Sequence, residues 1–115
     1  MAAKNIKLGK LKKRSEFLYV RDGRYQARPS VVIQMRAQPD PTDIINVGFT
    51  ATKKIGNAVV RNRCKRRLRE LAREFLPVHG KLGHDYVFIA RATTAKAEWG
   101  ALQKDVEKAL LRLEQ

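Results

Sequence analysis

The chain has 115 residues, of which 43% are hydrophobic, and its 25 Lys and Arg residues against 11 Asp and Glu residues produce a formal net charge of +14. This length and apolar content predict one domain over residues 1–115 and exclude a wholly disordered chain. The charge implies a polyanionic partner, which by charge alone is either a nucleic acid or an anionic membrane surface.

The N-terminal region is basic and then helical. Residues 1–14 contain six Lys and Arg side chains and no acidic one, which predicts a flexible basic segment. Ser15 is a suitable cap for a short helix that contains Phe17. Gly23 is expected to end this helix in the left-handed conformation.

Three segments have the composition of strands: residues 31–35, 44–52 and 85–90. Residues 25–27 carry a weaker signal for one more strand. Residues 38–43 contain two prolines and two aspartates and predict a turn. We therefore expect the first two strands to form an antiparallel hairpin.

Two longer helices have apolar residues at helical spacing. Asn57 caps the first, which Pro77 and Gly80 end, and the second begins near Thr94. The apolar stripes consist of Val60, Cys64, Leu68, Leu71, Ala72 and Phe75 in the first helix and Trp99, Leu102, Val106, Ala109, Leu110 and Leu113 in the second. The order of elements predicts an α+β fold, a two-layer α/β sandwich in which about three helices pack on a small mixed sheet.

Residues 53–69 contain eight basic side chains and no acidic one. On the helical wheel a carboxylate-free arc lies beside the apolar stripe, whereas Arg63 and Arg67 lie near Glu70 and Glu74, where ion pairs within the helix are possible. Such an arc suits phosphate, because the guanidinium fork binds it in a bidentate way. The arc consists of Arg61, Asn62, Lys65, Arg66, Arg69 and Arg73.

Catalytic and metal-binding patterns are missing from the sequence. There is no phosphate-binding glycine loop, and His79 and His84 have no carboxylate cluster or cysteine pair near them. We predict no catalytic and no metal-ligating residue. Cys64 is the only cysteine and cannot form an internal disulfide, and the N-terminus has no apolar signal segment, so a reducing cytoplasm is expected.

Residues 48–70 read GFTATKKIGNAVVRNRCKRRLRE, with Arg61-Asn62-Arg63 at the centre. This run closely resembles the signature of the bacterial ribonuclease P protein subunit. The resemblance continues in matching order through Leu11-Lys12-Lys13 before Glu16-Phe17 and through the segment DYVFIAR at residues 85–91.

The resemblance implies a ribonucleoprotein endonuclease that removes the 5′ leader of precursor tRNA. The catalytic RNA performs the chemistry with Mg²⁺ bound mainly by RNA, and the protein assists without being catalytic by itself. The partners implied are the ribonuclease P catalytic RNA and precursor tRNA, with no membrane and no obligate protein partner. A left-handed βαβ crossover is also implied, against the usual hand.

Position by position, the resemblance assigns contacts with the catalytic RNA to Arg61, Asn62, Arg63, Lys65, Arg66 and Arg69, and to Lys53 and Lys54 near the cleft edge. Asn57 is added to the RNA-binding residues because it lies at the start of the helix, where free N–H groups can hold an anion. The resemblance assigns a cleft for the single-stranded leader to the region of Phe17 and Thr50, where an aromatic ring can stack on a base of any identity.

The sequence departs from the family in this cleft. Arg21 stands where many relatives have a second aromatic residue, and the frequent tyrosine of the next strand falls at Ile33 or Gln34. We therefore add Arg21, Tyr25 and Gln34 to the expected cleft, with Tyr19 as an alternative to Tyr25.

Other classes of protein share some of these features. A small ribosomal protein would have the same charge and size but not the signature of residues 48–70. A membrane-surface protein would need the apolar stripe for lipid, and no helix-turn-helix pair indicates a DNA regulator.

Overall fold

The computed structural model describes residues 6–115, which form a mixed five-stranded sheet with three α-helices. The strand order across the sheet is β1-β4-β5-β3-β2. In chain order the elements are β1 (Leu8–Lys10), α1 (Arg14–Arg21), β2 (Arg24–Arg28), β3 (Val31–Ala37), β4 (Ile45–Thr50), a short 3₁₀ turn (Lys53–Ile55), α2 (Ala58–His79), β5 (His84–Ala90) and α3 (Trp99–Glu114).

The predicted hairpin of residues 31–35 and 44–52, which correspond to β3 and β4, is wrong. β5 lies between β3 and β4, antiparallel to the first and parallel to the second. The side chains of β5 are apolar on both faces, with Tyr86 and Phe88 on one and Val87 on the other, and such a strand is favoured in the centre of a sheet. The predicted turn therefore becomes a connection that crosses the end of β5, where Gln38 Nε2 donates to Asp85 at 3.0 Å.

The main core lies between one face of the sheet and helices α2 and α3. Leu68 and Leu71 of α2 and Leu102 of α3 are fully buried against Ile33 and Phe88 of the sheet. Helix α1 packs on the opposite face, where Val20 contacts Val87. The predicted α+β class, with three helices on a small mixed sheet, is thus confirmed, and α1 adds a helix on the second face of the sheet. The parallel β4–α2–β5 unit is the connection to which the family resemblance assigns the left-handed crossover.

The N-terminal region is more ordered than expected. The prediction of a flexible segment is wrong for Leu8–Lys10, which pairs in parallel with β4, and Leu11 follows as a buried residue whose N–H donates to the Val47 carbonyl at 3.1 Å. Alternation of apolar residues over so short a stretch was too weak to be recognised as a strand. Residues 1–5 of the predicted segment lie outside the described part of the chain.

Two helix starts also differ from the prediction. Lys13, not Ser15, is the N-cap of α1, because the Glu16 carboxylate accepts the N–H groups of Lys12 and Lys13 at 2.8 and 2.7 Å. Both hydrogen bonds lower the pKa of Glu16, and the one from Lys13 has the larger effect. Gly23 lacks the left-handed conformation, since the positive φ angles among the described residues belong to Gly56 and Gly83.

Helix α3 begins at Trp99 and not near Thr94. The buried Thr94 hydroxyl accepts the N–H of Arg91 at 2.7 Å and donates to the Ser30 carbonyl at 2.6 Å. Thr94 therefore closes a turn against β3 and caps no helix. The cap predicted for α2 is confirmed, because Asn57 Oδ1 accepts the Val60 N–H at 3.0 Å. Pro77 lies inside α2, and Gly80 is the C-cap.

Candidate nucleic-acid interface

Helix α2 presents two basic rows in different directions. The first row is defined by Arg61, Lys65, Arg69 and Arg73, which follow one another at a spacing of four residues. The last three line a cavity of about 480 Å³ between α2, α1 and the β1 edge of the sheet. The guanidinium of Arg69 lies 5.8 Å from the centre of the Phe49 ring. This row therefore faces an open space beside the sheet.

The second row holds the loop before α3. Arg63 Nε donates to the Ala95 carbonyl at 3.0 Å, and Arg67 donates to the carbonyls of Thr94, Ala95 and Ala97 at 2.6, 2.9 and 2.7 Å. The Arg67 guanidinium also lies 5.4 Å from the Trp99 ring centre. Burial is the main cause that lowers the pKa of Arg67, and the nearby positive charge of Arg63 lowers it further.

The ion pairs of Arg63 and Arg67 with Glu70 and Glu74, which helical spacing made possible, do not form, since the salt bridges within residues 6–115 involve other groups. The two arginines instead find carbonyl groups of a loop that lies far away in the sequence. No local spacing rule could have indicated these partners. The contact of Arg63 with RNA stays a prediction, and part of its guanidinium is already engaged.

The start of α2 adds further basic and polar side chains to this surface. Lys53 and Lys54 are exposed in the 3₁₀ turn that precedes it, and Asn62 and Arg66 are exposed on its first turns. Arg61 Nε is buried but has no hydrogen-bond partner within the described residues. A buried donor without a partner is costly, so it is the kind of group that a bound anion would satisfy.

The residues expected to form the leader cleft share one face of the sheet. Thr50 pairs with Ile89, and Tyr25 pairs with Gln34, which in turn pairs with Val87. Directly paired residues point to the same face, and Val87 contacts α1, so these side chains lie on the α1 side. Gln34 rather than Ile33 therefore faces the cleft, because Ile33 is fully buried in the main core.

Helix α1 forms the wall of this cleft. Phe17 and Arg21 are four residues apart and lie on the same side of the helix. The Phe17 ring rests on Gly48, where an added Cβ would lie 2.5 Å from its Cζ atom. A glycine at position 48 thus lets the ring approach the sheet. Arg21 is exposed and free to contact a ligand along the wall.

The structure distinguishes the two tyrosines proposed as substitutes. The Tyr19 hydroxyl donates to the Ala37 carbonyl at 2.6 Å, and the Arg36 guanidinium covers its ring at 4.0 Å. Tyr19 therefore holds α1 against β3. Tyr25 is 64% exposed and is the aromatic residue available at the far end of the cleft.

Other polar groups take part in the fold. His79 lies 3.4 Å from Glu107 and 3.7 Å from Glu114, and His84 Nδ1 contacts the Leu82 carbonyl at 3.0 Å.

Within residues 6–115 no group of three His, Cys, Asp or Glu side chains could hold a metal ion. None of the helices described there has the length and hydropathy needed to cross a membrane.

Phe49 was missed by the sequence reasoning. Strand alternation assigns Phe49 to the core face together with Val47. Its ring nevertheless reaches the cavity, because β1 ends opposite Val47 and does not cover the rest of β4. The sequence offers no signal for this exposure, because β1 has only three residues and its end cannot be recognised from so short a segment.

Comparison with known proteins is consistent across sequence and structure. The family model described as Ribonuclease P matches residues 7–114. The ribonuclease P protein component of Caulobacter vibrioides is 51% identical over 97% of this chain and 75% of that protein, and the component of Ruegeria pomeroyi is 47% identical over 90% and 84%. Among solved structures, the Staphylococcus aureus RNase P protein is similar with a TM-score of 0.76 and 28% identity over 90% of this chain and 94% of that one. The Thermotoga maritima RNase P protein has a TM-score of 0.76 at 25% identity over 90% and 96%.

Proposed function

This chain belongs to the ribonuclease P protein family, and from that premise we propose how its surfaces are shared between the RNAs of the holoenzyme. Family membership makes it the protein subunit of a ribonucleoprotein endoribonuclease, which binds RNA and takes part in removing the 5′ leader of precursor tRNA. What we propose is the identity of the RNA that each surface contacts and the residues that make the contacts.

The first basic row of α2 binds the catalytic RNA. The observation that supports this most directly is the unpartnered Nε of Arg61 at the head of a row that has no carboxylate beside it. Each arginine or lysine that meets a phosphate releases counterions, and the free energy of binding then depends on salt. Besides Arg61, Lys65 and Arg69 of this row, the surface includes Lys53, Lys54, Asn57, Asn62 and Arg66, with Arg63 as a contact that also serves the fold.

The cleft on the α1 face binds the leader. Phe17 on the wall and Tyr25 at the far end offer aromatic faces, and stacking on them does not depend on which base is present. Between them Gln34 and Thr50 supply polar groups, and Arg21 supplies a positive charge where relatives have a ring. Such a surface suits a single strand of variable sequence.

The protein assists the reaction by binding and by relieving charge repulsion. The donor groups of residues 6–115 do not fit a metal site, so no step is assigned to a metal held by the protein. We propose that Mg²⁺ is bound by the RNA partner and the substrate and supports the chemistry there. The +14 charge of the chain reduces repulsion between the two RNAs and so lowers the metal concentration that they require. The cytoplasmic location expected from the sequence stays part of this proposal.

The test is cleavage of a precursor tRNA by a bacterial ribonuclease P RNA at low Mg²⁺, with and without the protein. We expect release of the 5′ leader to need both components. Arg69→Ala should weaken the stimulation, whereas Arg112→Ala, at an exposed position of α3, should not, although both remove one arginine. Intact RNA binding without stimulation by the unaltered protein would contradict the proposal and favour a general RNA-binding role.

A further inference from the structure

One edge of β4 is left without a neighbouring strand. The Ile45 N–H donates to the Lys7 carbonyl, and the Val47 carbonyl accepts the Leu11 N–H, so the odd residues of β4 direct their main-chain groups towards β1. In a parallel ladder the main-chain groups of successive residues point alternately to the two neighbouring strands. Phe49, two residues after Val47, therefore directs its N–H and C=O towards the β1 side as well. The chain turns off into α1 after Leu11, and within residues 6–115 no loop or turn residue makes a backbone hydrogen bond to either Phe49 group.

This edge opens into the 480 Å³ cavity, whose lining combines rings and cations. The side chains of Phe17 and Phe49 contribute aromatic surface, and Lys65, Arg69 and Arg73 contribute positive charge from the first row of α2. The volume is within the roughly 300–1,000 Å³ range of small-molecule sites. Among residues 6–115 no acidic side chain lines the cavity, so an anion can enter without repulsion from these residues.

We propose that this cavity binds a single unpaired nucleotide, with its base against the Phe17 and Phe49 rings. The base edge accepts the Phe49 N–H and donates to the Phe49 carbonyl, and the phosphate contacts Arg69 and Lys65. Every base has a neighbouring donor and acceptor on its pairing edge, so this contact suits an unpaired base. An added peptide strand is disfavoured, because only residues 48–50 of β4 extend beyond β1 and a strand ordinarily pairs over more residues.

The inference rests on the proposed function, since an RNA must be the source of the nucleotide. Two sources have the same chemistry: an unpaired nucleotide of the ribonuclease P RNA and one of the leader. The cavity lies where the wall of the leader cleft meets the basic row of α2, because Phe17 belongs to the first and Arg69 to the second. Both sources therefore reach it without crossing the folded core.

The first experiment follows the amide resonance of Phe49 in the full chain during titration with adenosine 5′-monophosphate, cytidine 5′-monophosphate or inorganic phosphate. We expect a saturable downfield shift with the nucleotides, because the N–H gains an acceptor. Phosphate alone should shift the resonances of Arg69 and Lys65 but leave that of Phe49 in place. A Phe49 amide that does not respond to nucleotides would overturn the inference, and this measurement needs no variant.

The second experiment measures binding of ribonuclease P RNA, and of a precursor-tRNA leader, to Phe49→Leu and to Tyr25→Leu. Loss of one stacking ring should weaken binding of the source RNA by about 10-fold in Phe49→Leu, with an unchanged salt dependence because no charge is lost. Tyr25→Leu removes a ring elsewhere and should affect the leader alone. A thermal melt checks that each variant is folded.

The outcomes separate the two proposals. Weakened binding of the ribonuclease P RNA by Phe49→Leu identifies that RNA as the source, and weakened binding of the leader alone identifies the leader. Unchanged affinity of the folded variant for both would reject the nucleotide site while leaving the proposed function intact. If the unaltered protein fails to bind either RNA, the proposed function fails first.

Discussion

The two basic rows of α2 should respond in opposite ways to the loss of one arginine. Arg67→Ala removes a side chain that donates to three loop carbonyls, whereas Arg69→Ala removes one that faces the cavity. The residues are two apart on one helix and identical in type. They therefore form a matched pair in which only the environment differs.

The magnitudes follow from these contacts. A hydrogen bond that involves a charged group contributes about 1.5–3 kcal/mol, and bonds from one guanidinium are not additive, so we expect Arg67→Ala to lower the free energy of unfolding by about 3 kcal/mol. In a domain of this size that is a fall in Tm of roughly 10–20 °C. Arg69→Ala on the surface should change the free energy of unfolding by less than about 0.5 kcal/mol. It should instead reduce the slope of log K against log salt by about 0.7–0.9, the value for one phosphate contact.

The assay combines urea unfolding with RNA binding at several salt concentrations. Binding is measured well below the Tm of Arg67→Ala, so that this variant is folded during the titration. The reasoning would be refuted if Arg67→Ala reduced the salt slope as much as Arg69→Ala while leaving unfolding unchanged. That result would mean that the loop carbonyls do not hold the Arg67 guanidinium in solution.

Three further changes test the fold and its ionisable groups. Leu68→Ala, at a fully buried position between α2 and the sheet, should lower the free energy of unfolding by about 3–5 kcal/mol, measured by urea unfolding. Asn57→Ala should cost about 1 kcal/mol in the same assay, since the Val60 N–H loses its cap; Asn57→Asp should retain it. Burial raises the pKa of Tyr86 to about 12, so the stability from its neutral form is complete below about pH 10 and is lost as the pH rises towards 12. Absorbance titration should detect this late-ionising tyrosine, and its persistence in Tyr86→Phe would contradict the assignment.

Local patterns in the sequence were sufficient for the three helices, for strands β3 to β5 and for the main basic surface. The cap at Asn57, the apolar stripe of α2 and the carboxylate-free arc follow from helical spacing, and the structure contains the helix and directs the arc to open space. Family resemblance then supplied the function, because a basic helix by itself fits several classes of RNA-binding protein. Helix starts were less predictable, since Glu16 at the start of α1 satisfies N–H groups that a hydroxyl was expected to take.

Relations between distant segments were decided only by the tertiary structure. β5 takes the centre of the sheet because both of its faces are apolar, and this separates two strands that are neighbours in the sequence. Arg67 meets carbonyl groups of residues 94–97, a pairing that no local spacing could show. The free edge at Phe49 exists because β1 ends early. Short-range spacing determines which side chains share a face, but packing of the whole chain determines what that face meets.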